Sequence, residues 1–396
     1  MAIVKSLSGL ARQEDNIRYQ KGSFSLSNLV LDISKDLLGE NPDLVINAYY
    51  DQKRRAQLEA NILNILEKSD YFAPGSKREI IKSVFDFMFG YGQLQKYIDD
   101  EDVSDIDGVN HSCFSIIRKG VRENIDINFG SAEDFDIYCK LIAVRNGGIL
   151  NENDNHCRVA DLKNHLRINI SIFPRNISGS SISIRKHRKK GYSLKDLYDL
   201  NMVDEKSLKI IKEYLYKNKT ILLCGKGGSG KTTLLRALIN ALPEMERVLI
   251  CESDAELYPD KKHCIEQRVK RKNEGGNPIS LDMLIKDGLT MSLDTYCIGE
   301  IVGEEALAFL NASCSGHRFL TTMHATSAKD CGKRLSALAK MVNGASNEAM
   351  LLAMFGEGIH LIIHMDSFKI NEIYEVKGFN HKIQDLEYDL LYKGGQ

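Results

Sequence analysis

The stretch "ILLCGKGGSGKTTLL", which begins at Ile221, constrains this chain more than any other. Its apolar run, Ile221 to Cys224, predicts a buried strand. Gly225, Gly227, Gly228, Ser229 and Gly230 follow, then Lys231, Thr232 and Thr233, then the helical "LLRALINAL". The spacing from Gly225 to Thr232 fits G-x-x-x-x-G-K-[ST], a phosphate-binding (Walker A) loop. Glycines let consecutive backbone N–H groups converge on phosphate oxygens, which β-carbons would obstruct. The helix N-terminus adds partial positive charge. Lys231 is expected to reach the β- and γ-phosphates of ATP, and the Thr232 hydroxyl to ligate Mg²⁺. A bare glycine turn is the competing reading, and the ordered strand, loop and helix weigh against it.

The pattern around this loop predicts an α/β domain. Strand-like runs ("TILLCG", "RVLICE", "TYCIGEI", "HRFLTTMHA", "GIHLIIHM") alternate with helical ones, as in a mostly parallel sheet wrapped by helices. The tail "IHMDSFKINEIYEVKGFN" reads as a strand pair. This domain is expected over residues 191–396. Before it, residues 93–190 read as a small α+β domain. There "CFSIIRKGVRENIDINF" predicts a hairpin with "KG" near its turn, "EDFDIYCKLIAVRNG" a helix, and "LRINISIFPRN" and "SSISIRKH" strands. The basic run "IRKHRKKGYSLKDL" reads as the linker between the two. Residues 1–92 read as a polar tail over the first 25 residues and then a helical region. Its segments "LSNLVLDISKDLL", "AQLEANILNILEKS" and "GSKREIIKSVFDFMFG" carry apolar residues at three- and four-residue steps.

Composition narrows the function classes. A net charge of −1 leaves no bulk electrostatic footprint for nucleic acid, and none is expected as a partner. The nine cysteines include no C-x-x-C pair, which favours a reducing compartment over a disulfide framework or a four-cysteine zinc site. No apolar run is long enough to span a membrane, and the N-terminus lacks the apolar core of a signal peptide.

A nucleoside triphosphatase also needs an acid near the metal and the attacking water. In "DTYCIGEIVGEEAL", Glu300 follows a strand and is expected at its C-terminal edge, facing the phosphates. It is the candidate for Mg²⁺ coordination and for the general base. "LICESDAEL" ends another strand, with Glu252 and Glu256 as candidates on the metal side. His324 in "TTMHATSA" ends a third strand, where a histidine can hydrogen-bond a γ-phosphate and report its loss.

Taken together and in order, these residues resemble the secretion-type traffic ATPases of type II and type IV secretion and pilus assembly, most nearly the Tad/Flp pilus-assembly branch. In that family the glycine loop precedes an acidic box, a strand ending in G-E, and G-H followed by T-x-H-A. Here those are "CESDAEL", "CIGEIVG" and "SGHRFLTTMHA". The upstream "GYGQLQKYIDDEDVSDIDGVN" matches the entry to the family's N-terminal domain, and "LRINISIFPRNISGSSISIRKHRKKGYSLKDL" its end. The resemblance implies a RecA-like P-loop NTPase domain preceded by a small PAS-like α+β domain. It implies a homo-hexamer that is peripheral at the cytoplasmic face of the plasma membrane. It also implies a membrane platform protein as partner, and pilus assembly, with retraction as a second candidate stroke. Arg167, Arg185 and Arg268 match arginines that the family brings to the nucleotide as catalytic charges.

The chain also departs from that pattern. Ser253 stands where the acidic box commonly has aspartate, Val302 where G-E-x-R-G has arginine, and Asp161 and Ser292 replace two further arginines, while Asp294 is kept. The implied arginine network is thinner here, which bears on hydrolysis rate and ring symmetry and leaves nucleotide binding untouched. Two other readings share the glycine loop. "GKGGSGKTT" also fits the deviant loop of dimeric partitioning ATPases, where Lys226 would reach a partner's nucleotide. A nucleotide-binding ring module with little hydrolysis is the other.

Overall fold

The computed structural model describes residues 26–41, 44–45, 47–48, 51–68, 76–341 and 347–395. The tail expected over residues 1–25 lies outside the described residues. The chain divides into two compact units. One runs to His187 and takes in Asn273–Gly275, and the other holds Arg188–Lys272 and the chain from Gly276 onward.

The first unit begins with helices α1 (Leu26–Glu40), α2 (Gln52–Lys68) and α3 (Lys77–Phe89). α3 starts at a reciprocal cap. Ser76 Oγ accepts the Glu79 N–H at 3.3 Å and Glu79 Oε2 accepts the Ser76 N–H at 2.8 Å. Its apolar stripe of Ile80, Ile81, Val84, Phe85, Phe87 and Met88 is buried. A short helix α4 (Gln95–Asp99) leads into β1 (Val103–Gly108), β2 (Phe114–Arg118) and β3 (Val121–Ile125). Helix α5 (Ala132–Arg145) separates these from β4 (His156–Asp161), β5 (Leu166–Ser171) and β6 (Ser181–Lys186).

The six strands form one antiparallel sheet in the order β3-β2-β1-β6-β5-β4. Lys119 and Gly120 make the two-residue β2–β3 turn at φ 50° and 81°, the left-handed backbone that a tight hairpin requires. Alternation sends Ile106, Ile116, Val159, Ile168 and Ile184 to one face. There they share a single core with α5 and with the N-terminal helices through Leu29, Ile33 and Leu58. β1 ("VSDIDG") and β4 ("HCRVAD") are too polar to read as strands without their neighbours. The sheet supplies the pairing that composition does not.

The second unit opens with α6 (Leu194–Asp199) and α7 (Glu205–Tyr216). Then come β7 (Ile221–Gly225), α8 (Lys231–Asn240), β8 (Val248–Glu252), β9 (Cys264–Arg268), α9 (Leu281–Gly288) and β10 (Thr295–Ile301). They are followed by α10 (Glu305–Ser313), β11 (Arg318–Met323), α11 (Cys331–Ala339) and α12 (Glu348–Gly358), and finally by β12 (Leu361–Asp366), β13 (Lys369–Asn380) and β14 (Asp385–Lys393). The eight strands form one mixed α/β sheet, ordered β14-β13-β12-β7-β11-β10-β8-β9. β12 through β9 are parallel, and β13 and β14 add antiparallel strands beyond β12. Helices bury both faces, so β7, β8 and β11 are buried at every position; β7 and β8 read as near-continuous apolar runs, while β11 also buries Arg318, Thr321 and Thr322. The edge strands β9 and β14 are half-exposed and mixed in character, so apolar patterning did not reveal them. The sheet order sets the C-terminal ends of β7, β11, β10 and β8 side by side.

Candidate functional site

The loop between β7 and α8 has the backbone that its glycines predict. Gly225, Gly228 and Gly230 lie at φ 148°, 75° and 95°, a region that residues with a β-carbon rarely enter. A β-carbon on Gly225 would run into the Met365 carbonyl at the end of β12. Ser229 Oγ is buried in the loop with no hydrogen-bond partner among the described residues. An orphaned hydroxyl inside a cradle of left-handed glycines at a helix start fits a phosphate chain.

Lys231 is the first residue of α8 and is buried. Its Nζ donates to the carbonyls of Gly225 at 3.0 Å and Lys226 at 2.8 Å. Burial lowers its pKa below the ordinary lysine value, against the pull of Glu300. The ammonium is thus held at the mouth of the loop by its own backbone. Thr232 and Thr233 follow it, half-buried, in the first turn of the helix.

Parallel pairing of β11 with β7 and with β10 brings His324 between Lys231 and Glu300. His324 Nδ1 lies 3.4 Å from Lys231 Nζ and 3.2 Å from the Gly225 carbonyl oxygen. Its Nε2 lies 2.9 Å from Glu300 Oε1. With the proton on Nε2, the imidazole donates to Glu300 and turns its Nδ1 lone pair toward the ammonium, satisfying both. The ring also passes close to the loop, its Cε1 being 3.7 Å from where a Gly227 β-carbon would stand. Three sequence-predicted residues, Lys231, His324 and Glu300, therefore form one connected group. Sequence reasoning named each one and missed the link between them.

Glu252, at the end of β8, is buried. Its Oε1 accepts the N–H groups of Glu256 at 3.2 Å and Leu257 at 3.1 Å. Burial pushes its carboxyl up to about 8, against those two hydrogen bonds. It packs on Gly299, whose β-carbon would stand 3.1 Å from Glu252 Cγ, one residue before Glu300. Glu256 contributes its backbone to this turn. Arg268 sits opposite Glu252 in the β8–β9 register, and its Nη1 donates to the Val269 carbonyl at 3.1 Å.

Arg167 and Arg185 belong to the first unit, where they are directly opposed across β5 and β6. Asp105 faces Arg185 from β1. Of the departures from the family pattern, Asp161 has a local role. It closes the β4–β5 turn, accepting the Tyr91 hydroxyl at 2.6 Å and Asn164 Nδ2 at 2.7 Å. Val302 is exposed in the loop after β10, where Glu305 Oε1 accepts its N–H at 2.6 Å.

Two charged groups near the strand ends were not anticipated. Arg271 Nη2 pairs with Asp254 at 2.7 Å and donates to the Ser253 carbonyl at 3.2 Å, bracing the turn after β8. Arg318, buried at the start of β11, pairs with Glu246 and donates to Thr295 Oγ1 at 2.8 Å and the Leu215 carbonyl at 2.9 Å. No local spacing signals either one, because their partners lie 17 or more positions away along the chain, in loops as well as in β10 and α7.

Residues 153–362 match the family described as Type II/IV secretion system protein. The chain is 32% identical over 162 residues to Protein VirB11 of Agrobacterium fabrum, covering 39% of this chain and 47% of that one. It is 26% identical over 212 residues to the type IV secretion system protein VirB11 of Bartonella quintana, covering 52% and 58%. The chain thus spans about half the length of the curated relatives it matches. In fold it is similar to the pilus retraction motor PilT with bound ADP, at 15% identity and a TM-score of 0.50, covering 76% of this chain and 82% of that one.

Proposed function

The chain belongs to the type II/IV secretion system protein family, and from that membership we propose that it is a Mg²⁺-dependent ATP hydrolase that powers a Tad-type or related type IV pilus or secretion machine. The observation that carries this reading is the connected group of Gly225, Lys231, His324 and Glu300. It joins a phosphate cradle to a positive charge and to a carboxylate held by an imidazole, the parts that phosphoryl transfer to water needs.

The chemistry follows from these groups. Lys231 exchanges its loop carbonyls for the β- and γ-phosphate oxygens of bound ATP and offsets their charge. Water attacks the γ-phosphorus, the bond to the β-phosphate oxygen breaks, and Glu300 takes the water's proton. His324 orients the Glu300 carboxylate through Nε2 and touches the loop through Nδ1, so it couples the state of the phosphates to the end of β10. Mg²⁺, when bound, neutralises developing charge on the phosphate oxygens. Thr232, Glu300 and Glu256 are its proposed protein-side donors, a set of hard oxygens that suits this ion. Arg167, Arg185 and Arg268 are proposed as further positive charges for the transferring phosphoryl group.

The proposed assembly is a homo-hexamer peripheral at the cytoplasmic face of the plasma membrane, with a PAS-like N-terminal domain over residues 93–190 and the RecA-like motor over 191–396. Its proposed partner is an inner-membrane platform protein. Among the described residues no helix is long and apolar enough to cross a membrane. Steady-state ATP hydrolysis by the wild type and by Glu300→Gln tests the enzyme reading. Activity is expected in the first and lost in the second, and a wild type that binds ATP without turnover would leave a ring-holding module instead. Native mass measurement with ATP tests the hexamer, and cross-linking in membranes tests the platform partner.

A further inference from the structure

The turn between β12 and β13 holds an aromatic side chain that the chemistry above does not use. Asp366 pairs with Lys369, so Ser367 and Phe368 form a two-residue hairpin loop. Both have left-handed backbone, at φ 48° and 59°. Such turns favour asparagine and glycine, and a bulky aromatic there is strained. The ring is not tucked away to compensate, since Phe368 is 57% exposed.

Its surroundings suggest a use. β12 lies beside β7 on the side opposite β11. A β-carbon placed on Gly230 would stand 3.1 Å from Phe368 Cδ1, 3.0 Å from Met202 Cε and 3.5 Å from Met365 Cε. The phenyl ring and two thioethers therefore form an apolar flank on the phosphate loop. Glu300, His324 and Glu252 all lie on the other side, at the ends of β10, β11 and β8. A nucleotide with its phosphates in the loop and its γ-phosphate toward those groups has its nucleoside left for the β12 side. In parallel α/β sheets ligands lie across the carboxyl ends of neighbouring strands.

We propose that Phe368 is a nucleobase platform, on which the purine of the bound nucleotide stacks, with Met202 and Met365 as its apolar flank. This rests on the reading of Gly225–Thr233 as the nucleotide's phosphate site. Stacking on an aromatic face accepts any base, so the platform contributes affinity for the base and little discrimination between purines. The turn's strained backbone holds the ring outward, where a relaxed turn residue would present no π-face.

The chain contains no tryptophan, so Phe368→Trp introduces a single indole at the proposed contact. ATP should change its fluorescence strongly, while inorganic tripolyphosphate, bound through the loop alone, should not. In Phe368→Asn, which suits the left-handed turn and preserves the fold, ATP affinity measured by calorimetry should fall about tenfold, within the range of base–aromatic stacking. Tripolyphosphate affinity should be unchanged. Equal fluorescence responses to the two ligands, or undiminished ATP affinity in Phe368→Asn, would overturn the platform and leave the phosphate loop standing. Failure of the wild type to bind either ligand would instead remove the phosphate-site reading, and the platform with it.

Discussion

His324 Nε2 lies 2.9 Å from Glu300 Oε1, tying the residue that follows β11 to the end of β10 beside the glycine loop. In the proposed hydrolysis the two residues act on the same proton and the same phosphate, so their effects on turnover should not be independent. Glu300→Gln should lower kcat about 10²-fold or more with ATP binding near normal. His324→Ala should lower kcat about tenfold, and the double variant should be no slower than Glu300→Gln alone. Steady-state kinetics on the four proteins decides this. Multiplicative losses would mean that His324 works apart from Glu300.

In the proposed site Lys231 supplies the cation that meets the phosphates, exchanging the Gly225 and Lys226 carbonyls for them. Lys231→Ala removes charge-assisted contacts worth roughly 1.5–3 kcal/mol each. We expect ATP binding at least about tenfold weaker and hydrolysis lost. Calorimetry and a phosphate-release assay measure both, and unchanged turnover would refute the assignment of the site.

Glu252 makes stability depend on pH. Burial raises its folded-state carboxyl to about 8 from the ordinary glutamate value of 4.5, so between those values the folded protein binds the proton that the unfolded chain releases. Its contribution is fully present at low pH and is lost as pH rises through about 8, with a slope of about 1.4 kcal/mol per pH unit. Urea unfolding at pH 5, 6, 7 and 8 should show this decline from Glu252, and Glu252→Gln should flatten it. A variant with the wild-type slope would place the proton elsewhere.

Arg318 and Glu246 are paired in the interior at the opposite end of the sheet, with Thr295 Oγ1 donating to Glu246 at 2.5 Å. Breaking such a pair leaves an uncompensated buried charge, at a cost of about 3–5 kcal/mol. Arg318→Met should show that loss in urea unfolding. The double variant Arg318→Met/Glu246→Leu should recover part of it, because both charges are then gone. A double variant no more stable than the single one would mean that the lost hydrogen bond to the Leu215 carbonyl dominates.

Much of the site was legible along the chain because its parts are contiguous. Strand, glycine loop, Lys231 and Thr232 fall within twelve residues of one another, and local rules of spacing and backbone freedom cover them. Glu300 and His324 were legible one at a time, each as a polar residue that ends an apolar run. Glu252 was legible as an acid at a strand end. Its burial was not, because the turn that covers it and Gly299 beneath it come from different segments. β1, β4, β9 and β14 escaped because polar or half-exposed strands owe their conformation to ladder partners.

The sequence by itself determined that a glycine-rich loop sits between a buried strand and a helix. It also determined the acids and the histidine that end neighbouring strands. These are consequences of covalent spacing and side-chain size, which act over a few residues. Only the tertiary structure decided which of them meet. Lys231 and His324 are 93 positions apart and become neighbours because β11 pairs beside β7. Glu300 joins them because β10 pairs with β11. Phe368 comes to the loop from the opposite side because β12 takes the other edge of β7. Strand order is chosen by the packing of whole sheet faces against helices, a sum over the core that no single stretch of chain contains.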